Sequence, residues 1–211
     1  MFSNHKQTKM PIMSLFKKFF GVTDSTQEET ENIYNSQHDV PKAPVDERFM
    51  LNFKKNGGKF IYCDNLDEVK EQFENILEEN DWFESDVMCF EPKLFSLLDE
   101  NRLEYTAPKN PVFLFASCEN LIAEEGSIFL SSNQLKQNKP NQLPANIVIL
   151  ATTSQIIEST SDGLRLIKKK YEKNYPTNIT TIKYFDKAKE EDFLQYGSTP
   201  KNLYLLLLED F

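Results

Sequence analysis

Unbroken apolar runs decide most of what this chain can become. Ala145 to Ala151 and Leu203 to Leu208 are nearly continuous in apolar residues, and Pro111 to Ser117 is similar. A strand with one wet face alternates apolar and polar residues, so runs of this kind mark strands covered on both faces. None approaches the ~20 apolar residues that a membrane-spanning helix needs. Further strands are expected at Lys59–Cys63, Asp86–Phe90, Gly126–Leu130 and Thr180–Tyr184.

Helical patterns lie between them. Asn65 is placed to cap a helix in which Leu66, Val69, Phe73, Ile76 and Leu77 recur at helical spacing. Pro92 opens a short helix through Leu94, Leu97 and Leu98. Ser159 or Ser161 opens another with Leu164, Leu166 and Ile167, closed by Lys168-Lys169-Lys170, and Asn133 to Asn141 reads as an amide-rich loop. Buried strands alternating with helices predict the α/β class, a mostly parallel sheet flanked by helices. No internal repeat is present.

Residues 22–46 hold almost no spaced apolar residues and end in Pro41 and Pro44, the composition of a solvated linker. The expected organisation is a flexible N-terminal tail and linker over 1–46 and one α/β domain over 47–211. Met10 to Phe16 is interrupted by Lys17-Lys18 before it reaches signal-peptide length, and no small-x-small site follows. A cytoplasmic protein is expected, with Met13 as an alternative start and the tail as an alternative amphipathic contact.

Lys and Arg number 24 against 33 Asp and Glu, a formal charge of -9, which is the wrong sign for holding nucleic acid through its phosphates. Three widely spaced cysteines, Cys63, Cys89 and Cys118, read as buried free thiols. No Cys-x-x-Cys occurs, and both histidines, His5 and His38, precede the expected domain. Metal or iron–sulfur ligation by this chain is therefore not expected, nor is a Ser–His–Asp or Cys–His catalytic pair. There is no Gly-x-Gly-x-x-Gly and no Walker lysine, and no cofactor is expected.

Three segments have residue types suited to a site. Glu124-Glu125-Gly126-Ser127 combines carboxylates with a glycine and a hydroxyl, so Glu124 is a candidate catalytic group and Glu125, Gly126 and Ser127 are candidate ligand contacts. The structural alternative is a tight turn with solvated glutamates. Thr152-Thr153-Ser154 follows a buried strand, where open parallel sheets bind ligands, although the same hydroxyls serve as helix caps. Gly197-Ser198-Thr199 is a third candidate wall, or a plain loop before the last strand. Lys168–Lys170 is read mainly as a complement to a helix dipole.

The ordered segments Ile122-Ala123-Glu124-Glu125-Gly126-Ser127-Ile128-Phe129-Leu130, Leu143 to Leu150 and Thr153-Ser154-Gln155-Ile156-Ile157 resemble the LUD-domain family, known from lactate-utilisation protein C. Gly197-Ser198-Thr199-Pro200 before Leu203–Leu208 resembles the family's final Gly-turn and closing strand. Glu125 stands where the family usually has Thr, and its Ser-Arg-Thr-Ala-Asp stretch has no counterpart between Thr180 and Tyr196, marking a divergent member. The resemblance implies a Rossmann-like α/β fold similar to the CoA-transferase and ribose-5-phosphate-isomerase superfamily. It also implies a role in lactate utilisation, as a non-redox component beside iron–sulfur subunits that oxidise L-lactate to pyruvate. One alternative is a binding protein or enzyme for a small anionic metabolite of the acyl, CoA or sugar-phosphate type, with Glu124 as nucleophile. Another is a degenerate domain kept for protein contacts.

Overall fold

The computed structural model describes residues 43–183, 185 and 201–210. The first helix, α1 (Val45–Lys55), begins two residues before the expected domain start and buries Phe49, Met50 and Phe53. It leads through Gly57-Gly58 into β1 (Lys59–Cys63) and then α2 (Leu66–Asn80). The Asn65 side chain accepts a hydrogen bond from the Glu68 amide, and Val69, Phe73, Ile76 and Leu77 form the buried stripe of α2, as their spacing predicts.

The next strand, β2, is shorter than expected, only Val87–Met88. Pro92–Leu94 form one 3-10 turn running into α3 (Phe95–Glu100), and β3 spans Phe113–Ser117 with every residue buried. A hairpin of β4 (Asn120–Ile122) and β5 (Ser127–Ser131) follows. The expected amide-rich loop contains α4 (Ser132–Leu135), nucleated by a capping box between Ser131 and Gln134.

The chain continues through β6 (Asn146–Thr152), a 3-10 turn at Thr153–Gln155, β7 (Ile156–Ile157), α5 (Thr160–Tyr171), β8 (Ile179–Ile182) and β9 (Asn202–Leu208). Ser159 caps α5 by accepting from the Asp162 amide.

Five of these strands form one all-parallel sheet in the order β1-β9-β6-β3-β2. The unbroken apolar strands β3, β6 and β9 are its three inner members, which is why they carry no polar alternation. One face packs against α2 and α3, where Trp82 stacks on Phe113 at 4.9 Å between ring centroids and Phe73 on Phe115 at 4.8 Å. The sequence pattern does not anticipate a second sheet, but one forms in the order β7-β4-β5-β8, with β5 antiparallel to both β4 and β8. Two of its strands, β5 and β8, fall on the expected runs Gly126–Leu130 and Thr180–Tyr184, whereas β4 and β7, three and two residues long, are too short for periodicity to announce.

Helix α1 fastens the two sheets' connections. Arg48 pairs with Glu158, just after β7, and Asn52 and Asn56 donate from successive turns to carbonyls of the β4–β5 turn. No helix among the described residues is long and apolar enough to cross a membrane. The Met1–Pro41 segment, including the basic and apolar stretch near Met13, lies outside the described residues.

Candidate functional site

Because β1, β9, β6, β3 and β2 run in parallel, the residues following all five strands gather at one edge of the sheet, the usual ligand edge of open α/β folds. Three polar clusters stand on or beside it. Thr152, Thr153 and Ser154 follow β6, and here they hold a carboxylate of the chain itself. Asp210 Oδ1 accepts from Thr153 Oγ1 at 2.8 Å and from the Ser154 amide at 2.9 Å, and Oδ2 accepts from Ser154 Oγ at 2.5 Å. Burial would raise the Asp210 pKa, but these hydroxyl and amide bonds outweigh it and hold it below the usual carboxylate range. The hydroxyls therefore do bind a carboxylate, supplied by the segment after β9.

The second cluster joins the ends of β2 and β3. Glu91 accepts from both the Ser117 amide and the Ser117 hydroxyl at 2.6 Å, and Lys93 donates to Ser117 Oγ at 2.9 Å.

The third centres on Glu119, whose side chain has no solvent exposure. Oε1 accepts from Ser131 Oγ at 2.7 Å, Tyr171 Oη at 2.8 Å and Gln134 Nε2 at 3.2 Å, while Lys170 Nζ donates to Oε2 at 2.9 Å. Burial alone pushes the Glu119 pKa up, but bonds from Ser131, Lys170 and Tyr171 reverse the sign and keep it ionised. Burial pulls Lys170 down, and its bonds to Glu119 and Tyr171 carry it above the ordinary lysine value. The last lysine of the Lys168–Lys170 run thus has a specific partner beyond the helix dipole.

The Glu124–Ser127 turn is built against α1. Gly126 has φ +61°, and a Cβ there would lie 2.3 Å from the Asn52 carbonyl carbon and 2.4 Å from the Phe53 nitrogen. Its missing side chain is what lets α1 approach. Asn52 Nδ2 donates to Ala123 O at 2.8 Å and Asn56 Nδ2 to Glu125 O at 2.7 Å. Glu125 accepts from Thr160 Oγ1 at 3.2 Å and from the fully buried Ser127 hydroxyl at 3.4 Å, with Lys183 at 3.9 Å. Glu124 is exposed, with its amide bonded to Glu158 O at 3.1 Å.

These geometries place Glu124–Ser127 in one turn and Thr152–Ser154 at the sheet edge. Gly197 and Ser198 lie outside the described residues. Sequence reasoning missed Glu119, Glu91 and Asp210, for none stands in a recognisable motif. For Glu119 the available signal was a lone glutamate between Cys118 and a strand, followed 51 and 52 residues later by Lys170 and Tyr171 on one helix.

All three cysteines are buried and free. Desolvation raises the Cys63 thiol to about 12, Cys89 to about 11, and Cys118 in the same direction. Among the described residues no three of His, Cys, Asp and Glu come together as a metal site.

No curated protein matches the chain. In fold it is similar to the crystal structure of a DUF162 family protein from Deinococcus radiodurans, at a TM-score of 0.58 and 11% identity, over 78% of this chain and 96% of that one. The LUD domain model matches residues 112–208, from the residue before β3 to the last residue of β9. Residues 112–208 thus resemble the LUD-domain family, and this matched span contains both the Glu119 cluster and the Glu124–Ser127 turn.

Proposed function

We propose that this protein serves lactate utilisation in the cytoplasm as a non-redox component, docked beside iron–sulfur proteins that oxidise L-lactate to pyruvate. The LUD match over residues 112–208 carries this reading. Two further features support it. The thiols sit in the apolar interior, where burial favours their neutral form, so they serve packing better than cluster ligation. The formal charge of -9 suits docking to a basic face of a partner. The test is affinity capture of the tagged full chain from its own cells grown on lactate, with iron analysis and mass spectrometry. Co-purifying cysteine-rich iron–sulfur proteins are the expected result, and recovery of the bare chain without iron overturns it.

A second reading rests on the exposure of Glu124. Of the two turn carboxylates, Glu125 is held by Thr160 and Ser127 while Glu124 faces solvent, open to a substrate. This reading makes the protein an enzyme acting on a small acyl or CoA-like anion, with Glu124 as nucleophile and the Gly126-Ser127 turn beside it. It expects Glu124→Gln to keep the fold and abolish turnover of CoA esters. Turnover retained by that variant rejects it.

A further inference from the structure

A cleft of about 500 Å³ lies at the β2 edge of the parallel sheet, bounded by the end of β2, the start of α3 and the chain from Tyr105 to Pro111. Met88, Phe90, Phe95, Tyr105, Pro108 and Pro111 line it, each half-buried, so six apolar side chains share one partly wetted hollow. Its volume and its walls are those of a small-molecule site. Phe95 and Tyr105 stack at 4.5 Å between ring centroids, which joins two of the rings into one wall. All of these residues precede the matched span 112–208, so the family likeness assigns nothing to them.

Charge selects the class of occupant. No lysine or arginine lines the cleft. Asp99 Oδ1 accepts from the Tyr105 hydroxyl at 2.9 Å, and Glu104 Oε1 accepts from the Thr106 amide at 2.8 Å. Asp86 Oδ2 accepts from the Lys109 and Asn110 amides, which stand between the two lining prolines. Three carboxylates therefore hold the loop that forms one wall, and the only cation between Glu104 and Pro111 is Lys109. The Asp99 bond first, and more weakly the Glu104 charge, hold the Tyr105 hydroxyl above the ordinary tyrosine range, so the negative field reaches the wall itself. An anion is repelled there. A metal ion needs converging oxygen ligands, and among the described residues no three metal-binding side chains meet. A weakly hydrated organic cation gains from both features, because its alkyl groups bury against the apolar walls while its charge meets aromatic rings and an acidic rim. We propose that this cleft binds a small organic cation of the quaternary-ammonium type, joined to an apolar or aromatic body. The proposal goes beyond the docking and Glu124 readings above and stands without them, since neither uses this edge of the sheet.

The test is NMR titration of the ¹⁵N-labelled full chain with three probes of different charge. They are benzyltrimethylammonium, benzylsulfonate, and 4-tert-butylbenzyl alcohol, which has a ring and a tert-butyl group but no charge. Saturable shifts of the Met88, Phe90, Tyr105 and Thr106 amides are expected with the cation. The alcohol is expected to bind at least about tenfold more weakly, and the sulfonate not at all. Asp99→Asn combined with Glu104→Gln keeps both acceptor oxygens and removes two charges, and it is expected to weaken the cation about tenfold while leaving the alcohol unchanged. Tyr105→Leu keeps an apolar wall without its π face and is expected to weaken the cation about fivefold. Asp99 and Glu104 are exposed, so their double variant keeps the test decisive even where Tyr105→Leu fails to fold. No saturable shift with the cation overturns the proposal, as does the alcohol or the sulfonate binding as well as the cation, or cation affinity unchanged in the double variant. Iron–sulfur partners recovered alongside a null titration would leave the docking role standing and remove only this site.

Discussion

Gly126 holds a left-handed φ, and α1 occupies the space a side chain would take. Gly126→Ala meets both the backbone penalty and a clash with backbone that cannot swing aside. We expect it to lose at least about 2 kcal/mol in urea unfolding. Exposed Glu124 two residues away is a useful contrast: Glu124→Gln should stay within about 0.5 kcal/mol of the parent. Glu119 adds a pH signature. Its folded pKa lies below the unfolded value of about 4.3, so its contribution is present above that pH and is lost as pH falls through the depressed value. Urea midpoints measured from pH 7 down through about pH 4 should fall less steeply in Glu119→Gln than in the parent. The glycine was legible from sequence as a turn; its helical neighbour was not, because the Asn52 and Asn56 contacts span about 70 residues. Glu119 was less legible still, since its surroundings come from β5, α4 and α5.

At the scale of elements, local chemistry was readable wherever a cap and an apolar stripe coincide. Asn65 with Val69, Phe73, Ile76 and Leu77 announces α2, and Ser159 announces α5. Asn65→Ala removes the side-chain acceptor from the Glu68 amide and should cost about 1 kcal/mol, measurable as a lowered thermal midpoint without loss of helical signal. Helix α1 went unread beside the Pro41 and Pro44 linker signal, although Phe49, Met50 and Phe53 lie at helical spacing. The Ile156-Ile157 pair, for which the sequence predicts no strand, pairs with Leu121 and Ile122 as β7. A two-residue strand has no period to read, and only its partner strand defines it.

At the scale of the whole molecule, Cys63 ends β1, Cys89 directly follows β2 and Cys118 directly follows β3, and all three are buried, so together they report on global opening. Titration of the native protein at pH 8 with an aromatic disulfide reagent should release almost no thiolate. After denaturation it should release three equivalents, matching the cysteines in the chain. Rapid reaction of one thiol in the native state would show that its element opens independently. The position of β9 bears on how the protein is made. It inserts between β1 and β6, so β1 waits for a partner 145 residues further along, as in the Lys59–Tyr204 pair. During synthesis β1 and β6 emerge with unpaired, strongly apolar edges facing a gap, and the parallel sheet closes only when the last strand arrives. Until then a translating chain is a client for holdase chaperones, and slowing the ribosome before Asn202 would lengthen that exposure.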